Sequence, residues 1–500
     1  MNIGNKLRDI ALKLPDKAAV IFKDKFTTFS ELEDKATKLA LALKKNGIKK
    51  GDQVALIMPN SLDFVIAYFG VLKLGAILVP LDHRLTLEEL KPILDVTKIS
   101  TIITTGAIYN QIFKGPFNRN FTYILSDKKI SNTLSFEEIF SNFTYEKIKV
   151  EIRDEDEALC LFTSGTSGNP KGVVLTFRNL VCSPKAMNEM LSLNKKTVLG
   201  MLNPMSHIGG PFIMNDMAMI GITMLIYDSL RPDSILKTTK KHRVTFNFGV
   251  LPIFRPMLKY PELEKFHLPD LQIISFMGMQ TPLKLLKEFR EKFPYTFIIQ
   301  GYGLTETSPL ITLLPLKYAD EKMGSIGRPI PDAEVKIIDE SGKKVPSGEI
   351  GELIVRGPLV MKEYYKNSEE TKDRIKDGWL YTGDMVSSDR DGFLYLYGRK
   401  DDLIISGGLN VSPQEIEGVL LSHPDIEEAC AVGVPDEKKG EVIKAVIVLK
   451  KGRSITKKDI LNFCRERLAG YKIPRLIEFR NSIPLSRMGK VSRRELAESN

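Results

Sequence analysis

Cysteine is scarce. The 500 residues hold four, Cys160, Cys182, Cys430 and Cys464, too far apart for a zinc knot or a disulfide frame, which suits a reducing, cytoplasmic setting. Histidine is nearly as rare, and His83, His242, His267 and His423 show none of the spacings that metal ligands share. Long apolar runs are missing too. The longest stretch, residues 64–81, is interrupted by Lys73 and two glycines, and the segment MNIGNKLRDIALKLPDK is amphipathic rather than signal-like, so neither reads as membrane-spanning or targeting. Basic residues never run to five and form no ladder with aromatics. The formal charge of +10 therefore argues for an anionic small-molecule clientele rather than nucleic acid. That charge is uneven, since residues 451–500 carry 13 Lys/Arg against 5 Asp/Glu.

What is present is a chain 43% hydrophobic and 27% charged, too long for one core and expected to divide into subdomains. Residues 26–50 read as a strand end and a helix from Ser30 onward, with Leu39, Leu41 and Leu43 on its apolar face. Residues 54–58 follow as a buried strand and residues 61–74 as an apolar helix closed by Gly75. This alternation predicts a mostly parallel sheet covered by helices. Residues 1–150 carry no chemical motif and read as scaffold. Residues 324–366 read as a small β-rich unit, with turns at Ser341-Gly342 and Ser347-Gly348, and the last hundred residues as a compact α/β unit.

The densest polar stretch is Thr163-Ser164-Gly165-Thr166-Ser167-Gly168-Asn169-Pro170-Lys171-Gly172, with four hydroxyls, three glycines and one lysine in ten positions. Glycines let the backbone aim N–H groups at an anion, the hydroxyls donate, and Lys171 brings compensating charge. Polyphosphate is the natural guest. A flexible polar loop is the alternative, but the apolar runs 159–162 and 173–175 place this one between two strands. A P-loop would lead into a helix, and here Pro170 stands where that motif needs Gly, and Gly172 where it needs a metal-binding Ser/Thr. The metal ligand must lie elsewhere. Residues 293–299 read as a strand running into Gln300-Gly301-Tyr302-Gly303-Leu304-Thr305-Glu306. There Tyr302 offers a flat face for a purine, Thr305 a hydroxyl for phosphate and Glu306 an oxygen for Mg²⁺.

The loop TSGTSGNPKG resembles the phosphate loop of the AMP-forming adenylating superfamily, which includes acyl-CoA synthetases, carrier-loading adenylation domains and firefly-type luciferases. Further matches follow in family order along almost the whole chain. The resemblance implies an α/β fold: a large N-terminal domain of α/β subdomains plus a small β subdomain, and a small mobile α/β C-terminal lid. Domain limits are expected at 1–399, a hinge at 400–402 and a lid at 403–500. It implies ATP contacts by Thr163 to Gly168, Lys171, Gly278, Gln300, Gly301, Tyr302, Gly303 and Thr305. Asp384, in Trp379-Leu380-Tyr381-Thr382-Gly383-Asp384, accepts the ribose hydroxyls and Arg399 is the second ribose and phosphate contact. Glu306 holds Mg²⁺, and Lys490, after Gly489, is the catalytic lysine, acting with Lys171, Thr305 and Glu306.

For the acid, the resemblance points to His207, within Asn203-Pro204-Met205-Ser206-His207-Ile208-Gly209-Gly210, although the family usually has an aromatic where Ser206 stands. Phe246, Phe248, Gly249 and Val250 are expected to line the same pocket. Residues 203–210 contain no Asp to meet an α-amino group, which favours an apolar acid over an amino acid. Gly407 and Gly408 are expected at the thiol tunnel, Lys472 and Arg475 at CoA, Asp401 at the hinge, and Ser412 as N-cap of the helix after it. The implied activity is ATP-dependent conversion of a fatty or aryl acid, through acyl-AMP, to an acyl-CoA thioester. The co-substrates are ATP and coenzyme A, and the metal is Mg²⁺. A carrier-loading acyl-AMP ligase, a luciferase-like oxygenase and a non-catalytic nucleotide-binding protein are the alternatives. Peripheral membrane contact stays open.

Overall fold

A computed structural model describes residues 3–114, 120–164, 170–278, 281–406, 409–436, 440–484 and 493–498. Among them are four sheets. In the first, strands Ala18–Phe22, Thr223–Ile226, Val198–Met201, Phe246–Gly249, Ile273–Met277 and Phe297–Tyr302 run parallel, with short antiparallel strands at both edges. In the second, Thr122–Leu125, Thr101–Thr104, Gln53–Ile57, Ile77–Pro80 and Glu157–Ser164 run parallel, and Pro170–Thr176 returns antiparallel to the last. Most residues of these strands are buried, polar ones such as Thr104, Asn247 and Ser275 included, as expected of sheets covered by helices on both faces. Helix Leu62–Lys73, capped by Ser61 and closed near Gly75 in the left-handed region, is buried on every side but its start.

A third sheet is built from Glu334–Ile338, Gly351–Arg356, Ile375–Lys376, Trp379–Ser388 and Leu394–Arg399. The β unit therefore extends to Arg399 rather than ending near residue 366, because Leu394–Arg399 pairs back on Trp379–Ser388. The fourth sheet, with helices Pro413–Ser422 and Lys457–Arg465, encloses its own apolar cluster around Ile416, Leu420, Ala445 and Ile460. It is thus a separate small domain behind a large one. It docks through Arg255, which donates to Glu427 O at 2.6 Å and pairs with Glu428, and through Lys284 on Leu421 O. No helix among the described residues is long and apolar enough to cross a membrane.

Local readings hold with small shifts. The strand expected over 293–299 begins at Phe297 and takes in Gln300 to Tyr302, because residues 293–296 finish the preceding helix and turn. Leu41 is half-exposed, since the buried face of helix Phe29–Lys45 runs through Leu39, Ala40, Ala42 and Leu43. Ser412 occupies the N-cap position without capping: its hydroxyl donates to Tyr397 O at 2.6 Å instead, tying the small domain to the last strand of the large one.

One buried group works against stability. Asp216, on helix Gly209–Ile220, is fully enclosed and, among the described residues, neither carboxylate oxygen has a close hydrogen-bond partner. Burial drives its carboxyl well above the ordinary range, against the counter-pull of the Asn188 amide. The folded chain therefore holds a proton that the unfolded chain releases near the ordinary carboxylate pKa of about 3.9. Stability then falls as pH rises from that value toward the folded one, by about 1.4 kcal/mol per pH unit. Asp216→Asn, neutral and of the same shape, is expected to raise the melting temperature at pH 8 and leave it nearly unchanged at pH 4. Thermal melts across that range check it, and parallel pH profiles of the two proteins would contradict it.

Candidate active site

Parallel sheets collect function at the carboxyl ends of their strands, and here the ends of two sheets face each other. From the first come Asn203, just after Val198–Met201, then Gly249, Gly278 and Tyr302. From the second come Asn60, Asp82 and Ser164, each at or just past a strand end. The expected strand–loop–strand at the phosphate loop is present: Thr163 lies opposite Lys171 and Ser164 opposite Pro170. Gly165, Thr166, Ser167 and Gly168 lie outside the described residues, as do Gly407, Gly408 and Lys490.

Lys171 Nζ lies 2.7 Å from Glu370 Oε1 and 5.9 Å from the centre of the Tyr364 ring. The hydrogen bond from Lys171 holds the Glu370 carboxyl below its ordinary range. Tyr364 in turn donates its hydroxyl to Glu306 Oε1 at 2.7 Å. Burial, and then the Glu306 charge, push that phenol far up, so it stays a donor. Thr305 and Glu306 stand on a 3-10 turn, Thr305–Thr307, whose backbone is fixed by Met361 N donating to Glu306 O at 2.8 Å. Gly303, just before that turn, is obligatory: a Cβ there would sit 1.6 Å from Pro309 O.

Tyr302 donates to Asp384 Oδ2 at 2.5 Å across two sheets. Burial, then the adjacent carboxylate, keep this phenol protonated well beyond its usual pKa. Asp384 is directly opposite Arg399 in the strand pair, and Arg399 Nη1 lies 3.6 Å from Asp384 Oδ2 while donating to Thr382 O at 3.0 Å. Gly278 takes φ +87° at the end of Ile273–Met277, with only Val250 near its would-be Cβ. Gln300 and Gly301 form the floor: Gln300 Nε2 donates to Ser325 O and Gly301 faces Leu313.

The acid-side expectations divide. His207 and Gly249 lie at strand ends, but Phe246 begins its strand, opposite Leu199 and Ile273, and is wholly enclosed in the core. Of the expected aromatics it is Phe248 that reaches the His207 turn: its ring packs on Phe212 at 5.9 Å and would meet a Cβ on Gly209 at 3.2 Å. On the small domain, Lys472 is engaged by both oxygens of Glu415 at 2.6 and 2.7 Å, and Arg475 is exposed beside strand Leu476–Phe479. Asp401 falls in the 3-10 turn Lys400–Asp402.

Sequence reasoning missed Asn60, Asp82, Tyr364 and Glu370. The first two sit in the stretch read as scaffold, and the others follow no spacing that distinguishes them from surface residues. Only the strand-end positions of Asn60 and Asp82 carried a signal.

Two facing sheets, a phosphate-type loop and a small domain with its own core are the architecture of an adenylating enzyme. The model of the AMP-binding enzyme family matches residues 7–365 and that of the AMP-binding enzyme C-terminal domain matches residues 415–490, so the chain belongs to that family. It is 35% identical to a long-chain-fatty-acid–CoA ligase of Bacillus subtilis (strain 168), over 98% of this chain and 93% of the relative. It is 33% identical to a 2-succinylbenzoate–CoA ligase of Bacillus licheniformis, over 99% and 100% of the two chains. Among solved structures, the o-succinylbenzoate CoA synthetase of Bacillus subtilis in complex with its acyl-adenylate intermediate superimposes with a TM-score of 0.85 at 30% identity, covering 99% of this chain and 98% of that one. The same enzyme with ATP and magnesium ion gives 0.83 at 30% identity, over 98% and 99%.

Proposed function

We infer that the protein is an AMP-forming acid–CoA ligase: it joins a carboxylic acid, fatty or aryl, to ATP as acyl-AMP with release of pyrophosphate, then transfers the acyl group to the CoA thiol with release of AMP. The observation that supports this best is that residues of three sheets meet at one place. A buried carboxylate suited to hydroxyl donors (Asp384), a carboxylate beside a phosphate-type loop (Glu306) and the cation of that loop (Lys171) are linked there through Tyr302 and Tyr364. The names of the relatives, which include ligases of fatty and aryl acids, support the same reading.

In the first half-reaction the carboxylate attacks the α-phosphorus and pyrophosphate leaves. The work required is electrostatic, because two anions must meet. Lys171, Thr305 and Lys490 offset charge at the phosphates, and breaking the Lys171–Glu370 pair frees the lysine for them. Asp384 and Arg399 orient the ribose, and Tyr302 fixes Asp384 while presenting its ring to the base. Glu306 suits Mg²⁺: it is a hard oxygen ligand whose Oε1 accepts from Tyr364, and one carboxylate plus substrate phosphates is how this ion is commonly held. The ion, when bound, would neutralise phosphate charge. In the second half-reaction the lid, residues 403–500, turns about 400–402, withdraws Lys490 and brings Gly407 and Gly408 to the thiol path, with Lys472 and Arg475 meeting CoA phosphates. Carrier-protein loading is the competing second step.

The test is pyrophosphate release across acetate, octanoate, palmitate, benzoate and 2-succinylbenzoate, with and without CoA. Release with one acid class and thioester formed only when CoA is present are expected. Acyl-AMP that accumulates with CoA present would favour the carrier-loading alternative, and release with none of these acids would remove the proposal.

A further inference from the structure

His207 stands between strand Val198–Met201 and helix Gly209–Ile220, on a turn that the opposite sheet holds twice. Asn60 clamps the backbone: its Nδ2 donates to Asn203 O at 2.8 Å and its Oδ1 accepts from Met205 N at 2.8 Å. Asp82 faces the ring, with Oδ2 3.6 Å from His207 Nε2. That separation is an ion-pair distance and too long for a hydrogen bond. Nε2 itself is buried and has no hydrogen-bond partner among the described residues, an arrangement that is costly unless a ligand uses the atom.

Asp82 cannot simply swing over to close the gap. Arg84 grips both its oxygens, Nε on Oδ1 at 2.9 Å and Nη2 on Oδ2 at 2.5 Å, and the Arg84 backbone N–H adds a third bond at 3.0 Å. His83 Nδ1 stands 3.7 Å from Oδ1. Burial of Asp82 favours its neutral form, yet Arg84 and then His207 outweigh it and keep the carboxyl ionised far below the ordinary range. A fixed anion beside Nε2 favours the ring form in which that nitrogen carries hydrogen.

We propose that Asp82 is the positioning residue of the carboxylate site: it holds the His207 imidazole by charge, near enough to fix the ring and too far to consume Nε2–H, which is left to donate to an oxygen of the acid. The inference rests on the reading that His207 borders the acid. It adds a residue from the N-terminal sheet to a site otherwise built from the other sheet, and Arg84 serves it by immobilising Asp82.

A double-mutant cycle tests this. With whichever acid of the panel above the parent turns over, Asp82→Ala and His207→Ala should each raise KM for the acid about ten-fold, the loss of one charge-assisted contact, with KM for ATP within two-fold of the parent. The double variant should be no worse than His207→Ala alone, because Asp82 acts only through the ring. A second readout needs no turnover. The chain has five histidines, so ¹⁵N-histidine labelling allows the His207 ring signals to be assigned by their loss in His207→Ala. Asp82→Asn, which keeps the shape and removes the charge, should shift those signals and no other histidine's except His83. Effects that multiply to about a hundred-fold in the double variant, or His207 signals identical in the parent and Asp82→Asn, would overturn the proposal. Failure of every acid in the panel would instead remove the functional reading, and the spectrum would still decide the role of Asp82.

Discussion

Glu306→Gln is expected to lower magnesium-dependent acyl-adenylate formation by about 10²–10³-fold, the cost of losing one electrostatic contact to the transition state. The substitution keeps the side chain's length and its ability to accept from the Tyr364 hydroxyl, which lies 2.7 Å from Oε1, so the turn Thr305–Thr307 should survive. What disappears is the charge. Tyr364→Phe makes the complementary change, leaving the charge and removing the hydroxyl that aims it, and should cost roughly ten-fold, near the value of a hydrogen bond to a charged group. Pyrophosphate release measured over a magnesium titration separates the two. Glu306→Gln should require far more metal, whereas Tyr364→Phe should reduce the rate with a smaller change in metal requirement. Near parental release by Glu306→Gln at limiting magnesium would remove Glu306 as the metal ligand.

Glu306 and Asp384 could be proposed from the sequence because each sits in a motif whose residue types suit one chemistry: a carboxylate after a strand and a Gly-Tyr-Gly turn, and a carboxylate ending a Thr-Gly-Asp run. Their partners could not. Tyr364 lies 58 positions from Glu306, on the two-residue strand Glu363–Tyr364 that joins the second sheet only by pairing with Pro170–Thr176, and nothing in local periodicity announces so short an edge. Asp82 and Asn60 escaped for a related reason. A single polar residue after an apolar strand reads as a turn, and its meaning depends on a second sheet whose strand ends arrive opposite it. Phe246 shows the converse error, since proximity in sequence to Gly249 suggested a pocket wall while the parallel register buries it three residues back from the strand end. The alternation of strands and helices over residues 26–75, by contrast, was readable, because helix caps such as Ser61 and closing glycines such as Gly75 mark boundaries locally.

The two half-reactions should come apart under two substitutions. Lys490→Ala is expected to reduce acyl-AMP formation by about 10³-fold, as for loss of a transition-state donor, while the same protein converts supplied acyl-AMP and CoA to thioester at near the parental rate. Asp401→Pro should do the reverse. The turn Lys400–Asp402 has one neighbour anchored on each side: Lys400 Nζ pairs with Glu352 of the large domain at 3.2 Å, and Asp402 faces Arg493 of the small domain at 3.8 Å. Arg493 is itself fixed by Glu417 at 2.6 Å, so Asp402 is held toward the lid and Lys400 toward the body. Asp401 between them is where a rotation of the lid would be taken up. Proline locks φ near −65°, a value compatible with a 3-10 turn, so the lid arrangement seen here, which we take as the adenylating one, stays reachable while a large change at that residue is blocked. Thioester formation should then fall by about 10²-fold, the scale on which misplaced groups cost rate. Stopped-flow assays of each half-reaction, started from ATP plus acid and from acyl-AMP plus CoA, give the comparison. Equal losses in both half-reactions for both variants would mean that the lid does not alternate, and parental rates for Lys490→Ala would move the catalytic lysine elsewhere in the chain.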